Sequence, residues 1–363
     1  MNGSKDLKTI IYFKGVYDTL DLFTDHLIGA FESMGYGTFV YHTANEEVSK
    51  KMLLRLLGES QEFAAVTFNN LGYNLSFEQP EAAEDEEKKP EEHNIWNYFH
   101  IPYIDILMDH PFHYEKPLCN MPETAVILCT DRNHEKYIRR FFKNIHQTDF
   151  LPHAGVELGH KHKPLNDRNI DVLYAGALPI YTVAKMIPDL HSIPEVDGEH
   201  MMQSVLGELV QHPEQTTEQA IEAYVKSVRG DISDERLQEI IVKMRFLDSY
   251  ATSFFREQAV RILVENGIRV TAYGTGWDQC EWSGSPYLDY RGKVLAPEIL
   301  PSMNDAKIVL NTMTWFKAGA HDRIFNGMLA KAVVVTDDST YLRREFTDGR
   351  ELVMFRRQEL GTL

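Results

Sequence analysis

The sequence has 363 residues, of which 43% are hydrophobic and 25% charged, and this length suits two globular domains. Its 37 Lys and Arg against 54 Asp and Glu give a net charge of −17, which argues against a nucleic-acid backbone or an anionic membrane as the main partner. Cys119, Cys129 and Cys280 form no CxxC pattern, so we expect neither a disulfide framework nor a zinc knuckle. Without a signal-peptide pattern or a run of about 18 apolar residues, we expect a soluble cytoplasmic protein.

The first 150 residues alternate short apolar runs with amphipathic stretches, which predicts parallel strands joined by crossover helices. The predicted strands are TIIYF (9–13), TFVYH (38–42), FAAVTF (63–68), YIDILM (103–108), AVILC (125–129) and TDFLP (148–152). The helical pattern LFTDHLIGAFESMG is predicted to end at Gly35. Segment 77–92 carries eight acidic residues and two lysines, which predicts a solvated, mobile loop rather than an acidic docking tail. We predict a doubly wound N-terminal α/β domain over residues 1–160.

The second half begins a new α/β pattern, which predicts a C-terminal domain over residues 161–363. A strand, DVLYAG (171–176), precedes a polar, helical stretch over about 186–250 that is too long for an ordinary connection and is predicted to be a helical insertion. The alternation resumes with a helix and RVTAY, YLDYRG, APEILPSMNDA, KIVLNTM and AVVVTDD. Two α/β domains in tandem are therefore expected.

The segment HDRIFNGMLAKAVVVTDD, residues 321–338, is predicted to be a short helix followed by a buried strand. His321 and Arg323 place cationic residue types at the helix start, where the helix dipole repels positive charge. The helical period puts apolar residues on one face and leaves Arg323, Asn326, Gly327 and Ala330 on the other. Because two of these residues are small, this second face is predicted to be open, with room for a ligand to approach the backbone. Two interpretations are open: Arg323 reaches solvent or pairs with Asp322, or an anion such as phosphate binds at the helix start.

Two further loops follow predicted strands and are candidates for ligand contacts. AYGTGWDQCEWSG contains Gly274, Gly276 and Trp277, although its GxG lacks the rest of a dinucleotide-binding fingerprint. Trp277 is also interpreted as a loop anchor. The turn that contains Lys293 and Val294 offers backbone groups for a base or a ribose, or it is a plain connection between a strand and a helix.

These C-terminal pieces occur in the order RVTAYGTGW, YRGKV, PEILPSMNDAKIVLNTM and GAHDRIFNGMLAKAVVVTDDSTYLRREFTDGRELVMF. In this order they resemble the group-1-like glycosyltransferases of the spore-maturation type. The resemblance covers most of residues 245–355 and extends weakly into the N-terminal half. It implies a GT-B fold, in which two Rossmann-like doubly wound domains face each other across a cleft. The C-terminal domain is expected to bind a nucleotide-sugar and the N-terminal domain an acceptor, usually without a metal.

The resemblance also implies candidate site residues, at the positions of this sequence that match the family's motifs. The resemblance implies that His321 and Arg323 contact the diphosphate or the donor sugar and that Asn326 lies near the ribose. The other implied donor contacts are Gly274, Gly276, Trp277, Arg291, Lys293, Val294 and Gly319. Relatives have glutamates where this chain has Ala318 and Asn326, and a glycine where it has Lys331. The sequence ends at Leu363, where relatives continue, so the chain is either a short member or a shortened one.

Glycosyl transfer needs neutralisation of the departing diphosphate and, if the configuration inverts, a base for the acceptor hydroxyl. Arg323, with Lys185 or Arg291, is predicted to provide the positive charge. The candidate bases are Asp109 and His110, with His113 behind them, and Asp18 after the first strand; each has a structural role as its alternative. No convincing metal-ligand set is present, and Asp337 and Asp338 are interpreted as capping residues.

The sequence therefore predicts a cytoplasmic glycosyltransferase that uses a nucleotide-sugar, with UDP-sugars favoured, and needs no cofactor or metal. The predicted acceptor is a protein, a glycan or a lipid-linked glycan, and no nucleic acid is expected as a partner. The alternatives are a non-catalytic binding protein on a degenerate GT-B fold and a sugar-nucleotide epimerase or hydrolase. The sugar, the stereochemical outcome and the oligomeric state, homo-oligomers included, stay open.

Overall fold

The computed structural model describes residues 8–59, 62–79, 91–157, 161–179, 187–313 and 316–356. The chain divides into two compact units, Met1–Thr130 with His134–Leu151, and Asp131–Asn133 with Pro152–Leu363. The predicted boundary between residues 160 and 161 falls within the second unit's range. Each unit contains one six-stranded parallel sheet.

The first half of the chain contains the predicted strands and crossover helices. The strands are β1 (Lys8–Lys14), β2 (Gly37–His42), β3 (Glu62–Phe68), β4 (Ser76–Gln79), β5 (Glu91–Asn94), β6 (Tyr103–Leu107), β7 (Ala125–Cys129) and β8 (Gln147–Phe150). The helices are α1 (Asp18–Ser33), α2 (Glu46–Leu57), α3 (Ile95–Tyr98), α4 (Glu115–Cys119) and α5 (Arg132–Phe141). Gly35 follows α1 with a φ of 89°, which confirms the predicted glycine at the end of this helix.

The main sheet of the first unit has the strand order β2-β1-β3-β6-β7-β8, and all of its strand pairs are parallel. Residues 10–13 of β1 are all buried, as expected for a strand covered on both faces. The prediction of a loop over 77–92 was partly wrong. Strands β4 and β5 pair antiparallel at its two ends, while residues 80–90 lie outside the described part.

The second half repeats the architecture with a helical insertion. Its strands are β9 (Ile170–Ala175), β10 (Val270–Tyr273), β11 (Leu288–Tyr290), β12 (Ala306–Asn311), β13 (Val333–Asp337) and β14 (Val353–Phe355). Its helices are α6 (Gly198–Gln211), α7 (Thr217–Arg229), α8 (Asp234–Met244), α9 (Phe246–Glu265), α10 (Ala296–Asn304), α11 (Asp322–Leu329) and α12 (Thr340–Glu345). Helices α6 to α9 confirm the predicted helical insertion. Among the described residues, no helix is long and apolar enough to cross a membrane.

The second sheet has the strand order β11-β10-β9-β12-β13-β14. In chain order this is 3-2-1-4-5-6, the order of the Rossmann fold, with its switch point between β9 and β12. In the first sheet the order changes direction between β1 and β3. Ligands of open α/β sheets bind at the carboxyl ends of the strands beside such switch points, so these two places are where functional residues are expected.

Candidate functional site

Helix α11 begins with a histidine cap. The His321 Nδ1 atom accepts a hydrogen bond from the Arg323 backbone N–H at 3.2 Å. Burial, together with the nearby charge of Arg323, lowers the pKa of His321, so the ring is neutral at neutral pH. The Asp322 carboxylate touches the same ring nitrogen. One ring nitrogen cannot both accept from the Arg323 amide and donate to Asp322, so the two contacts are alternatives, and the lowered pKa of His321 favours the cap.

The Arg323 side chain points into the protein and is only 8% exposed. Its Nη1 atom donates to Asn311 Oδ1 at 2.5 Å, and its guanidinium carbon lies 5.7 Å from the centre of the Tyr174 ring. No carboxylate of the described residues forms a salt bridge with it. Burial lowers the pKa of Arg323 below its usual value. The charges of Asp322 and Asp337 act on Arg323 without forming a direct ion pair with it. Because a buried charge with no contacting counter-ion is costly, this guanidinium is suited to an anionic ligand.

Arg323 lies at the switch point of the second sheet. Asn311 is the last residue of β12, and Tyr174 is close to the end of β9, the neighbouring strand. Beyond β9, a Cβ atom on Gly176 would lie 3.5 Å from Arg323 Nη2. The guanidinium therefore bridges the two strands where the strand order changes direction, which is the usual ligand position in this architecture.

A second buried arginine, Arg256, comes from α9 and was not predicted. Its side chain is 9% exposed, and its Nη1 atom donates to the carbonyl of Ala177, just after β9, at 2.7 Å. The Arg256 charge also contributes to the lowered pKa values of His321 and Arg323, after the larger effect of burial. Two guanidinium groups and a helix start thus bring positive charge to this edge of the sheet, beside the carboxyl groups of Asp322 and Asp337.

The predicted open face of α11 was wrong. Arg323, Asn326 and Gly327 are buried, and a Cβ atom on Gly327 would lie 2.9 Å from a methyl group of Val334. The small residue lets the helix approach the sheet and does not make room for a ligand.

Both ends of the Asn326 amide form hydrogen bonds within the protein. Its Oδ1 atom accepts from the Val156 N–H at 2.7 Å, and its Nδ2 atom donates to Asp322 at 3.3 Å. The cavity beside it has a volume of about 20 Å³, enough for a water molecule and not for a sugar. Asn326 therefore holds the segment at Val156, and its role in donor binding stays a prediction.

The glycines of the loop after β10 allow a close approach to the segment that follows β9. Gly274 and Gly276 have φ values of 114° and 98°, and a Cβ atom on Gly276 would lie 2.1 Å from the Leu178 carbonyl oxygen. Trp277 is fully buried and donates its indole N–H to the Gly176 carbonyl at 2.8 Å. The interpretation of Trp277 as a loop anchor is confirmed, and its contact with the donor stays a prediction. This loop fixes the backbone next to Arg323.

Three other predicted donor contacts lie on the loop after β11. Arg291 donates to Asp289 at 2.8 Å and to the Tyr273 hydroxyl at 3.2 Å. The Gly274 N–H donates to the Gly292 carbonyl at 2.8 Å, which joins this loop to the one after β10. Lys293 and Val294 occupy the same irregular loop, and no described contact links them to Arg323.

The remaining predicted positions near α11 have structural contacts. Gly319 is buried and accepts from the Ser339 hydroxyl at 2.7 Å. Asp337 ends β13 and accepts from the Met313 N–H at 2.8 Å. The interpretation of Asp337 and Asp338 as capping residues was wrong, because the cap of α12 is Ser339. Lys331 has a φ of 55°, the left-handed conformation that a glycine adopts without strain. Lys185 lies outside the described residues.

Asp109 follows β6 in the first unit and is partly exposed. Its Oδ2 atom accepts from Asn69 Nδ2 at 3.1 Å and from the Tyr114 hydroxyl at 2.9 Å. Burial, and then the Asp109 charge, raise the pKa of Tyr114 well above its usual value, so the hydroxyl keeps its proton and stays a donor. This carboxylate is fixed at one oxygen, as a positioned base requires.

His110 is 3% exposed and stacks on Phe112 with ring centres 3.7 Å apart. Its Nδ1 atom accepts from the Phe112 N–H, and burial, then His113, lower its pKa well below the usual value. Asp18, the exposed first residue of α1, has the favourable charge for a helix start. A catalytic role stays a prediction for both residues, and the geometry favours Asp109. Within the described residues, no group of three or more His, Cys, Asp or Glu side chains is arranged to hold a metal.

Comparisons with known proteins agree with this architecture. Residues 252–361 match a family model described as glycosyl transferase-like. Sucrose-phosphate synthase from Thermosynechococcus elongatus superposes with a TM-score of 0.50 at 8% identity, over 97% of this chain and 87% of that one. The chain has a GT-B fold. The resemblance at the level of glycosyltransferases is thus supported, while the spore-maturation type stays a prediction.

Two further solved structures resemble the GT-B chain less closely. Anabaena HepE, in complex with UDP and glucose, has a TM-score of 0.46 at 9% identity, over 97% of this chain and 88% of that one. An alpha-glucosyltransferase, in complex with UDP and a 13-mer DNA, has a TM-score of 0.45 at 10% identity, over 98% and 88%. No curated protein matches the sequence significantly.

Sequence reasoning missed Arg256, Asn69 and Tyr114 in this GT-B chain. Arg256 follows two phenylalanines in a largely buried helix, an unusual place for a guanidinium, and this signal was readable. Asn69 and Asn70 form an Asn-Asn pair after a strand, which indicates a left-handed turn. Nothing in the sequence brings Tyr114 next to Asp109 in preference to other tyrosines.

Proposed function

We propose that the protein transfers a sugar from a nucleoside-diphosphate sugar to an acceptor hydroxyl, with a UDP-sugar as the favoured donor and no metal required. The observation that carries the proposal is the buried Arg323, which lacks a carboxylate partner among the described residues at the switch point of the second sheet. The glycosyl transferase-like match over residues 252–361 includes both Arg256 and Arg323 and supports the same reaction class.

The leaving diphosphate gains negative charge as the glycosidic bond breaks. Arg323 is suited to bind its oxygens, since a guanidinium offers two parallel N–H donors. Arg256 adds positive charge to the same edge, and the start of α11 contributes its dipole. Because these groups are buried, their field acts on the diphosphate with little screening by water.

The acceptor needs a base if the anomeric configuration inverts. Asp109 is the favoured candidate because its carboxylate is partly exposed and is fixed through a single oxygen. It takes the proton of the acceptor hydroxyl, the acceptor oxygen bonds to the anomeric carbon, and the bond from that carbon to the diphosphate breaks. The electron pair leaves with the nucleoside diphosphate.

The test replaces Arg323 by glutamine. We expect Arg323→Gln to raise the dissociation constant for UDP-glucose or another sugar nucleotide at least about tenfold, as loss of a charged hydrogen bond costs about 1.5–3 kcal/mol. The ligand-free variant should unfold at the same or a higher temperature than the wild type, because the buried unpaired charge is removed. Titration calorimetry and thermal unfolding measure the two effects.

Arg261→Gln is the matched control, since it changes the net charge equally at an exposed arginine paired with Glu265. It should leave affinity unchanged. A destabilised Arg323→Gln protein with normal affinity would identify Arg323 as a purely structural residue and refute the anion site. Donor binding by the wild type without release of free or transferred sugar would favour the non-catalytic alternative, and interconversion of sugar nucleotides the epimerase.

A further inference from the structure

Two consecutive asparagines adopt the left-handed conformation directly after β3. Asn69 and Asn70 have φ values of 49° and 65°. This conformation is uncommon for residues other than glycine, and two in a row persist only where surrounding contacts enforce it. The pair lies beside the switch point of the first sheet, where β3 neighbours β1.

The neighbouring strand β6 holds this turn in place. The Asp105 side chain is fully buried, and its Oδ1 atom accepts from the Asn70 N–H at 2.9 Å. The Asn69 N–H donates to the Ile106 carbonyl at 3.1 Å. Both backbone amides of the turn are therefore bound by β6, which sets the direction of the Asn69 side chain.

The Asn69 side chain binds the loop that carries Asp109. Its Oδ1 atom accepts from the Met108 N–H at 2.9 Å, and its Nδ2 atom donates to Asp109 Oδ2 at 3.1 Å. The Tyr114 hydroxyl donates to the same oxygen at 2.9 Å. Asp109 Oδ1 accepts no hydrogen bond from the described residues. Oδ2 thus accepts two hydrogen bonds, whereas Oδ1 is available to a ligand.

We propose that Asn69 and Tyr114 are positioning residues that fix Asp109 Oδ2 so that Oδ1 receives the proton of the acceptor hydroxyl. This inference rests on the proposed glycosyl transfer and assigns the proton to a single atom. The bound oxygen has its lone pairs engaged, and the carboxylate cannot rotate without losing both donors. The positive φ of Asn69 is a strained conformation, and it places the side-chain amide next to Asp109.

The decisive variant is Asn69→Gly, because glycine adopts a positive φ readily and keeps the backbone amide while it removes the side chain. Asn70→Gly is the matched control: it makes the same change at the adjacent left-handed residue, whose side chain forms no hydrogen bond to Asp109. Thermal unfolding confirms that both variants fold. Tyr114→Phe removes the second donor.

The first readout needs no substrate. In protein labelled with carbon-13 aspartate, the infrared carboxylate band of Asp109 is assigned by its absence in Asp109→Asn. We expect this band to shift in Asn69→Gly and in Tyr114→Phe, since each variant removes a donor to the carboxylate, and to stay in place in Asn70→Gly. An unshifted band in Asn69→Gly would overturn the positioning role.

The second readout is the release of UDP from UDP-glucose, or from the sugar nucleotide of the binding panel that the wild type cleaves fastest, with water as the acceptor. We expect Asn69→Gly to lower kcat at least about tenfold with donor affinity within twofold, as is typical for loss of a positioned proton-transfer group. Asn70→Gly should stay within twofold of the wild type in both. Normal turnover in Asn69→Gly, or in Asp109→Asn, would refute the assignment of the proton. A wild type that cleaves no donor would refute the proposed function, while the infrared band would still decide the positioning contacts.

Discussion

Asp105 is a carboxyl group buried in the centre of a parallel sheet, and its ionisation should weaken the first unit. It is fully buried, its Oδ2 atom has no hydrogen-bond partner in the described structure, and Oδ1 accepts from the Asn70 N–H. Burial raises the pKa of Asp105 from 3.8 to about 7, against the smaller opposing effect of the Asn70 hydrogen bond. We predict that Asp105→Asn stabilises the protein, increasingly so toward alkaline pH.

The magnitude follows from the pKa. The folded state holds the Asp105 proton up to about pH 7, whereas the unfolded chain releases it near pH 4. Between these values the folded state binds more protons, so stability falls as the pH rises, and it levels off above the folded pKa. A difference of about three pH units at about 1.4 kcal/mol each gives up to about 4 kcal/mol lost at pH 8. An asparagine keeps the acceptor for the Asn70 N–H and carries no charge, so it avoids this loss.

Calorimetric unfolding of the wild type and Asp105→Asn from pH 4.5 to 8.5 tests this, with the region around the isoelectric point of about 5.3 left out to avoid precipitation. The two proteins should unfold at similar temperatures at the acidic end. At pH 8 the unfolding temperature of the variant in the transition of the first unit should be higher by up to about 16 °C, at about 2–4 °C per kcal/mol. A difference that does not change with pH would refute the reasoning.

Two predictions concern α11, the helix that carries Arg323, and the turn that follows it. Gly327→Ala should lower stability by about 1 kcal/mol, because the overlap with Val334 outweighs the gain in helix propensity, and thermal unfolding should show a fall of a few degrees. Lys331→Gly should raise stability by about 0.5–1 kcal/mol, because glycine relieves the strain of a positive φ; a destabilised variant would mean that the lysine side chain outweighs this relief. Both variants should keep the donor affinity of the wild type.

The sheets could be predicted from the sequence because their strands are nearly continuous apolar runs between amphipathic helices. Residues 10–13 and 270–273 are buried throughout, so each strand is visible without knowledge of its neighbours. The order of the strands within each sheet could not be predicted in this way. The first sheet places β1 between β2 and β3, whereas the second places β9 between β10 and β12, and no local pattern distinguishes the two arrangements.

The candidate site could be predicted only in part, and the error at α11 shows why. The helical period correctly separated two faces, but small residues such as Gly327 mark a close approach of any kind. Here the approaching partner is the sheet, through Val334, and not a ligand. Arg323 shares this buried face, and its position at the proposed anion site depends on the carboxyl ends of β9 and β12, which are distant in sequence.

Each candidate site lies at or beside the switch point of a parallel sheet, and the two sites carry side chains of opposite charge. At the switch point of the second sheet, the direct contacts of the buried Arg323 guanidinium are with the neutral groups of Asn311 and Tyr174, and no carboxylate of the described residues pairs with it. Beside the switch point of the first sheet, Asn69 and Tyr114 donate hydrogen bonds to the carboxylate of Asp109. Departure of a diphosphate and removal of a proton require these opposite charges. A chain that only bound a nucleotide would need the Arg323 site alone. The strained turn at Asn69 therefore favours catalysis over binding. Loss of turnover in Asn69→Gly with donor affinity retained is the result that separates the two functions.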